Sequence, residues 1–373
     1  MRVPLGRGGA GRPPPCRPIM SGTGTEGKVR GGGPRDRRAG EIMDARTMCH
    51  MADKTIRWGI LGTGGIAEVF TADLLRLEGH EVVAVGSRST ATAAAFADRH
   101  GIGRAHGSYA ALAADPEVDV VYVATPHPVH FEPARLCVEA GRAVLVEKPL
   151  TTSAAEAARL ADLAREHGVF VMEAMWTRFS PLIRRLHSLV GEGAIGDVSA
   201  IFADFSIAPP FDPAHRLWAA ELAGGALLDL GCYVLSITWP LLGPPDTVQA
   251  TAAPAPTGVD ANTGILLGYR AGAVALLHCG LMGESPHTAT IVGTKGRIEL
   301  AAPFYRPEAM TLVRQGGERE TFSVDLAGNG YTYQAEEVAR CLRLGLTESP
   351  LLPLDESVAV LRVIDEIAGS FRR

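Results

Sequence analysis

The stretch Ile56–Phe70, IRWGILGTGGIAEVF, decides the fold. A short apolar segment runs into a turn of glycines, and the turn opens directly into a helix-like pattern, as expected of a strand, a tight turn and a helix in succession. Outward from it the same alternation repeats. EVVAVGSRS reads as a strand, TAAAFADRHG as a helix, and ALAADPEVDVVYVATP as a helix end, a turn and a strand. HFEPARLCVEAG (helix), AVLVEKP (strand), SAAEAARLADLAREHG (helix) and VFVMEA (strand) come next. Strands alternating with helices of roughly ten to fifteen residues predict βαβ units wound right-handedly onto one parallel sheet. This first domain is expected over residues 55–174.

Beyond Ala174 the rhythm changes. After the helix SPLIRRLHSLVGEG come the strand-like segments VSAIFADFSI, TVQATAAPA, TGILLGYR, AVALLHCG, HTATIVGTKGRIEL and MTLVRQ. Several alternate apolar and polar residues, and Gly-rich turns separate them. They predict a second α/β domain, residues 175–373, around a large, open, mainly antiparallel sheet. The helices GGALLDLGCYVLSITWPLLG, YQAEEVARCLRLG and DESVAVLRVIDEIAGSF interrupt and close it. Two domains suit a chain of 373 residues, and 46% apolar with 21% charged residues suits a globular one.

Residues 1–54 stand apart. They hold eleven Lys/Arg against five Asp/Glu, a local balance of +6 within a chain of net charge −5, and are crowded with Gly and Pro. Without apolar periodicity such a segment cannot offset its chain entropy, so a disordered extension is expected. Met51 offers an alternative start of translation. Arg37-Arg38 is followed by no apolar run of the kind an export signal needs, and no stretch reads as a membrane span. The six scattered cysteines, Cys16, Cys49, Cys137, Cys232, Cys279 and Cys341, form no CxxC pair and suit free thiols in a reducing cytoplasm. The charge balance calls for neither nucleic acid nor an acidic membrane; a small-molecule partner is expected.

Three constellations carry chemistry. Gly62-Thr63-Gly64-Gly65-Ile66-Ala67 matches G-x-G-x-x-A between the first strand and first helix, where backbone amides can approach a pyrophosphate at the helix N-terminus. The second strand ends Val85-Gly86-Ser87-Arg88, with no acid to bond the ribose hydroxyls of NAD. Ser87 can donate to a 2′-phosphate, and Arg88 can pair with it and stack on adenine, so NADP is expected, with NAD the alternative. Next, Val144-Leu145-Val146-Glu147-Lys148-Pro149 carries a lysine to the carboxyl end of a buried strand, beside the nicotinamide crevice. An X–Pro bond gives Lys148-Pro149 access to the cis form. Finally, in Asp229-Leu230-Gly231-Cys232-Tyr233 an i,i+4 helical spacing puts a carboxylate and a phenol on one face. A phenol near a cation such as Lys148 becomes a usable acid–base group.

His127 and His130, in ATPHPVH, lack the further ligands a metal needs. His130 is better suited to binding substrate or orienting Lys148. Thr125, His127 and Glu147, at or beside strand ends, join Lys148 and Trp176 in the expected cofactor-contacting set. Arg216 and Trp218 suit either a substrate mouth or an exposed linker.

Together these residues resemble the glucose–fructose oxidoreductase, inositol dehydrogenase and rhizopine-catabolism (Gfo/Idh/MocA) family over roughly residues 55–373. The carriers are GILGTGGIA, the EKP triplet, GGALLDLGCY, IVGTKGRIEL and YQAEEVARCLRLG. VMEAMWTRFSP with ATPHPVH looks most like the branch of dimeric trans-1,2-dihydrodiol dehydrogenases and NADP-dependent sugar dehydrogenases. The resemblance implies a Rossmann domain, a second α/β domain whose open sheet often mediates dimers, Lys148 as the catalytic lysine and Asp229 as the helix aspartate. Tyr233 stands where most members carry a histidine, and His130 and Trp176 match positions lining the active site. The activity so implied is reversible hydride transfer between the nicotinamide and a carbinol carbon of a sugar, cyclitol or trans-dihydrodiol. Tyr233 is expected to exchange the proton, Lys148 to lower its pKa and bond the substrate oxygen, and Asp229 and His130 to orient the set. The rivals are a non-catalytic NADP-binding regulator and a sugar-modifying enzyme of another branch.

Overall fold

The computed structural model describes residues 54–371; the expectation for residues 1–54 lies, Lys54 apart, outside them. Strand β1 (Ile56–Leu61) enters the core at once: Ile56, Trp58 and Ile60 are fully enclosed. The chain then alternates as expected, through α1 (Gly65–Leu74), β2 (His80–Gly86), α2 (Thr90–His100), β3 (Arg104–His106), α3 (Tyr109–Ala113), β4 (Val120–Val123), α4 (Phe131–Glu139), β5 (Ala143–Glu147), α5 (Ala154–His167) and β6 (Val171–Ala174). The six strands are parallel, in the order β3-β2-β1-β4-β5-β6. The direction of winding therefore reverses between β1 and β4, which opens a crevice beyond their carboxyl ends. Serine caps fix several helix starts. Ser89, Ser108 and Ser153 accept from the N–H groups of Thr92, Ala111 and Glu156, and Gly168, in the left-handed region at φ 62°, ends α5.

A second sheet lies beyond α6 (Pro181–Gly191). Its strands are β7 (Val198–Ser206), β8 (Thr247–Pro254), β9 (Asp260–Gly268), β10 (Val274–Gly280), β11 (Ala289–Gly293), β12 (Gly296–Leu300), β13 (Ala309–Arg314) and β14 (Arg319–Ser323), in the order β14-β13-β12-β11-β7-β10-β9-β8. All neighbours are antiparallel except β7 and β10. Strands β9 and β10 alternate strictly: Ile265, Leu267, Ala275 and Leu277 face inward, while Leu266 and Leu276 are exposed. The inward face is covered by α7 (Cys232–Leu242). Helices α8 (Thr332–Arg343) and α9 (Leu354–Ser370) then return to the first sheet's layer. Asp365 accepts from Ala154 N at the start of α5, Ser357 donates to Glu173 on β6, and Asp73 on α1 accepts from Asn329 and from Tyr331 N.

Two strands escape the sequence pattern. β3 has three residues and β14 is a largely polar edge, RETFS, so neither shows an apolar period. The GGALLDLGCY helix is also not uniform: Leu227–Gly231 forms a π-helical turn before α7 begins. Contrary to the expectation of no span-like stretch, Ala220–Leu242 is long and apolar enough to cross a membrane, but 72% of that window is buried inside the protein, and it is a core element. Cys137, Cys232, Cys279 and Cys341 are free and buried.

Phe70 from α1 stacks on Tyr122 of β4 with ring centroids 3.9 Å apart, and both are fully enclosed. Phe70→Ala removes one side of that stack. It is expected to destabilise the parallel-sheet domain by about 3–5 kcal/mol, measured as the shift in its urea unfolding midpoint.

Candidate active site

The crevice beyond β1, β4 and β5 is a cavity of about 700 Å³. Gly62 ends β1 at φ +109°, and a Cβ there would lie 2.6 Å from the carbonyl oxygen of Ala124, so only glycine allows β1 and β4 to approach so closely. Gly64 and Gly65 differ: a Cβ on either would meet nothing of the protein within 4 Å. Their bareness leaves room outside the turn, and Gly64 has no side chain to cap the first N–H groups of α1. That is the donor set a pyrophosphate requires, so the residues present fit a dinucleotide. Thr63 and Ile66 line the same wall, whereas Ala67 is buried on the inner face of α1.

Ser87 and Arg88 stand at the far end of the cavity. Ser87 Oγ is 2.8 Å from Thr92 Oγ1, and Arg88 is exposed at the mouth. Tyr109, which the sequence pattern did not single out, joins them from the start of α3.

At the other end Lys148 meets Asp229 across 81 residues of chain. Lys148 Nζ donates to Asp229 Oδ1 at 2.7 Å and to the Asp229 carbonyl oxygen at 2.9 Å. Arg216 Nη1 holds the other carboxylate oxygen at 3.1 Å, and His127 Nε2 stands 3.6 Å from Oδ1. Burial works against both charges of the central pair. For Asp229 the Lys148 and Arg216 charges outweigh it and hold the carboxyl well below the usual range; for Lys148 the Asp229 carboxylate outweighs it and raises the ammonium above its ordinary value. His127 is pushed down to about 3 by burial and then by Lys148, so it is neutral. The Lys148–Pro149 peptide is cis.

Tyr233 lies beside this pair. Asp229 and Tyr233 both line the cavity, as the spacing predicted, although a π turn intervenes. Such turns re-aim side chains by one residue and recur at functional sites. Lys148 Nζ sits over the Tyr233 ring, 4.8 Å from its centroid, rather than at its oxygen. The phenol oxygen instead accepts from Trp176 Nε1 at 3.0 Å. Burial raises the phenol well above its ordinary value; Lys148 lowers it, in the expected direction, but does not reverse that rise. Around the phenol pack Phe205, Tyr305 and Trp176, and Trp176 in turn packs on Tyr331 at 4.6 Å.

His130 is fully enclosed, its ring nitrogens each 2.8 Å from the carbonyl oxygens of Thr125 and Pro149. It ties the ends of β4 and β5 together behind Lys148, and it also stands in the wall of the cavity. Thr125 donates to Val129 O. Glu147 accepts from the Tyr122 hydroxyl and from Lys148 N at 3.1 Å, and burial pushes its carboxyl up to about 7. Among the residues the sequence did not single out, Tyr331 and Leu222 also line the cavity. Tyr331 follows the turn Gly328-Asn329-Gly330, and only tertiary contact with Asp73 brings that turn to the crevice. Among the described residues no group of three or more His, Cys, Asp or Glu is arranged to hold a metal.

A doubly wound sheet with a dinucleotide crevice, a buried lysine–aspartate pair and a phenol defines an α/β oxidoreductase with a NAD-binding Rossmann fold. Residues 56–175 match the model of the oxidoreductase family with that fold, and residues 183–299 match the GFO/IDH/MocA C-terminal domain. The chain belongs to the Gfo/Idh/MocA family. It is 37% identical over 325 residues to the trans-1,2-dihydrobenzene-1,2-diol dehydrogenase of Bos taurus, covering 84% of this chain and 96% of that protein. It is 38% identical over 357 residues to the D-xylose 1-dehydrogenase (NADP(+)) of Hypocrea jecorina, covering 84% and 91%. Among solved structures, a 3-ketoreductase from Actinomadura kijaniata in complex with NADP and TDP-benzene superimposes with TM-score 0.74 at 29% identity, covering 85% of this chain and 98% of that one. The aldose-aldose oxidoreductase of Caulobacter crescentus shares the fold with TM-score 0.78 at 24% identity, over 86% and 98%.

The depressed Asp229 carboxyl makes a pH-dependent contribution to stability. It is complete above the unfolded-state value of about 4 and is lost as pH falls through the folded value. Thermal unfolding stepped below pH 4 is expected to show a steeper fall in Tm for the wild type than for Asp229→Asn; parallel curves would contradict the assignment.

Proposed function

We propose that this protein is an NADP-dependent dehydrogenase that interconverts a carbinol and a carbonyl on a sugar, cyclitol or trans-dihydrodiol. The observation that carries the reading is the Lys148–Asp229 contact beside Tyr233, at the nicotinamide end of a cavity whose other end holds Ser87 and Arg88. NADP is preferred over NAD because β2 ends without an acid and with a hydroxyl and a guanidinium, the groups that suit a 2′-phosphate. The relatives named for a diol and an aldose both act on compounds with vicinal hydroxyls. The set Gly62, Thr63, Gly64, Gly65, Ile66, Ala67, Ser87, Arg88, Thr125, His127, Glu147, Lys148 and Trp176 would hold the cofactor, with Ala67 acting from within the helix.

When bound, the dinucleotide supplies a two-electron hydride acceptor or donor. Tyr233 handles the proton. Its raised phenol starts protonated, so in the reducing direction it donates to the substrate oxygen as negative charge develops there. The oxidising direction is the reverse and starts from the phenolate, its proton first released to solvent; the phenolate, stabilised by the Trp176 N–H and the Lys148 ammonium, then takes the carbinol proton. Lys148 also bonds the substrate oxygen. Asp229, clamped by Lys148 and Arg216, fixes the ammonium's direction, and His130 holds the strand end behind it. The aromatic wall excludes water, which strengthens each of these interactions.

Residues 55–174 would bind the dinucleotide and residues 175–373 the substrate and a second subunit. Leu276 lies opposite Phe202 on β7 and Leu266 on β9, so three exposed apolar side chains form a stripe across the sheet's outer face. Such a patch favours a homodimer. The four buried thiols suit a reducing cytoplasm.

Nicotinamide absorbance with NADP⁺ or NAD⁺ and a panel of aldoses, cyclitols and trans-dihydrodiols tests the activity. Reduction with NADP⁺ is expected on one substrate class, and Lys148→Met and Tyr233→Phe are each expected to lower kcat by roughly a hundredfold or more, with cofactor affinity retained in Tyr233→Phe. Both variants staying within a few-fold of wild type would refute the assignment. Separately, sedimentation should give a dimer that Leu276→Asp converts to monomer; a wild-type monomer at micromolar concentration would remove the dimer from the account.

A further inference from the structure

Asp260 is a carboxylate that the proposed chemistry does not use. It opens β9, largely buried, and its hydrogen-bond partners are uncharged. Asp260 Oδ2 accepts from Leu227 N at 2.7 Å and from the Thr263 hydroxyl at 2.9 Å. Leu227 is the first residue of the π turn that carries Asp229. A carboxylate taken out of water without a cation is unfavourable, and this one's carboxyl is pushed up to about 6 by that burial, with the Leu227 N–H and Thr263 hydroxyl pulling the other way. An apolar side chain would avoid that loss.

The surroundings show what the carboxylate holds. Gly225 packs against it so closely that a Cβ there would lie 2.3 Å from Asp260 Oδ1, and Gly225 has φ +118°. Gly225 N donates to Leu217 O at 2.9 Å, and a Cβ on Gly224 would lie 2.8 Å from Arg216 O. Residues 207–226, the strap between β7 and the π turn, are thus folded back onto the Gly224-Gly225 junction. That strap delivers Arg216 to Asp229. From Asp260 two routes lead to the Asp229 carboxylate, one along the turn from Leu227 and one through the strap and Arg216.

We propose that Asp260 is a positioning residue for the active site, fixing the strap–helix junction so that Arg216 and Lys148 meet Asp229 together. This rests on the dehydrogenase reading above. Loss of the carboxylate frees Leu227 N and the Gly225 turn, and the Asp229 carboxylate then loses its aim on Lys148. The dinucleotide turn is built by β1 and α1 and does not touch this junction.

The test compares full-length wild type with Asp260→Ala, Asp260→Asn and Thr263→Val, measuring kcat, KM, cofactor affinity and hydrogen exchange over residues 224–232. Asp260→Ala is expected to lower kcat by about tenfold, the scale of one lost hydrogen bond to a charged group, with cofactor affinity within twofold of wild type. Asp260→Asn keeps an acceptor for Leu227 N and should recover most of the rate; Thr263→Val should fall between. Exchange over 224–232 should rise in Asp260→Ala and return toward wild type in Asp260→Asn. An unchanged kcat in Asp260→Ala, or an Asn variant as impaired as the Ala one, overturns the proposal. If Asp260→Ala fails to fold, Thr263→Val decides, and an unchanged kcat and exchange pattern there overturns it as well. An inactive wild type would instead count against the dehydrogenase reading, and the exchange comparison still decides the role of Asp260.

Discussion

The salt bridge between Lys148 and Asp229 is the contact on which the arrangement of the site depends. It joins the end of a parallel strand to a turn that belongs to the other sheet, and both side chains are nearly enclosed. Withdrawing two charges from water is unfavourable, and their attraction repays it only when the geometry is good and further bonds satisfy what remains. Here Asp229 also accepts from Arg216, and the ammonium also donates to the Asp229 carbonyl. Removal of Asp229 would leave the buried ammonium without its carboxylate, and removal of Lys148 would leave Asp229 to Arg216 alone. The pair is therefore better regarded as a constraint on how the two sheets meet than as a source of stability.

That constraint shapes what Tyr233 can do. Because Asp229 holds Lys148 away from the phenol oxygen, the lysine acts on the ring face and the oxygen is left to Trp176. An ammonium at the oxygen would favour phenolate; over the ring it opposes, without reversing, the rise that burial imposes on the phenol. The aromatic side chains that enclose it come from β7, the turn after β6, and the loops before α8. They are brought together by Asp73 and the return of the chain's last helices, so the apolar wall is a product of both sheets.

The dinucleotide half of the site was readable because its chemistry is local. Gly62 to Ile66 follow a strand and begin a helix within a few residues, and Ser87 and Arg88 directly follow the next strand, so pattern alone locates them in one crevice, though not Ala67, which faces the core. The half around Lys148 and Tyr233 was readable only as separate residues. Lys148, Asp229 and Tyr233 were identified, but the Trp176 bond spans 57 residues, the Lys148–Asp229 bond 81, and the cation over the ring joins Lys148 to Tyr233, further apart still. Tyr331 gave no signal because its place depends on Asp73, more than 250 residues away.

By itself the sequence determined the order of strands and helices, β3 and β14 apart, the parallel character of the first sheet and the main antiparallel character of the second. Those follow from apolar period, caps and turn chemistry, which act over neighbouring residues. Tertiary structure alone decided which carboxylate faces the lysine, which group touches the phenol oxygen, and that His130 bridges the ends of two strands. Those outcomes turn on burial and on the few ångströms between side chains from distant segments, and both exist only once the two sheets have packed.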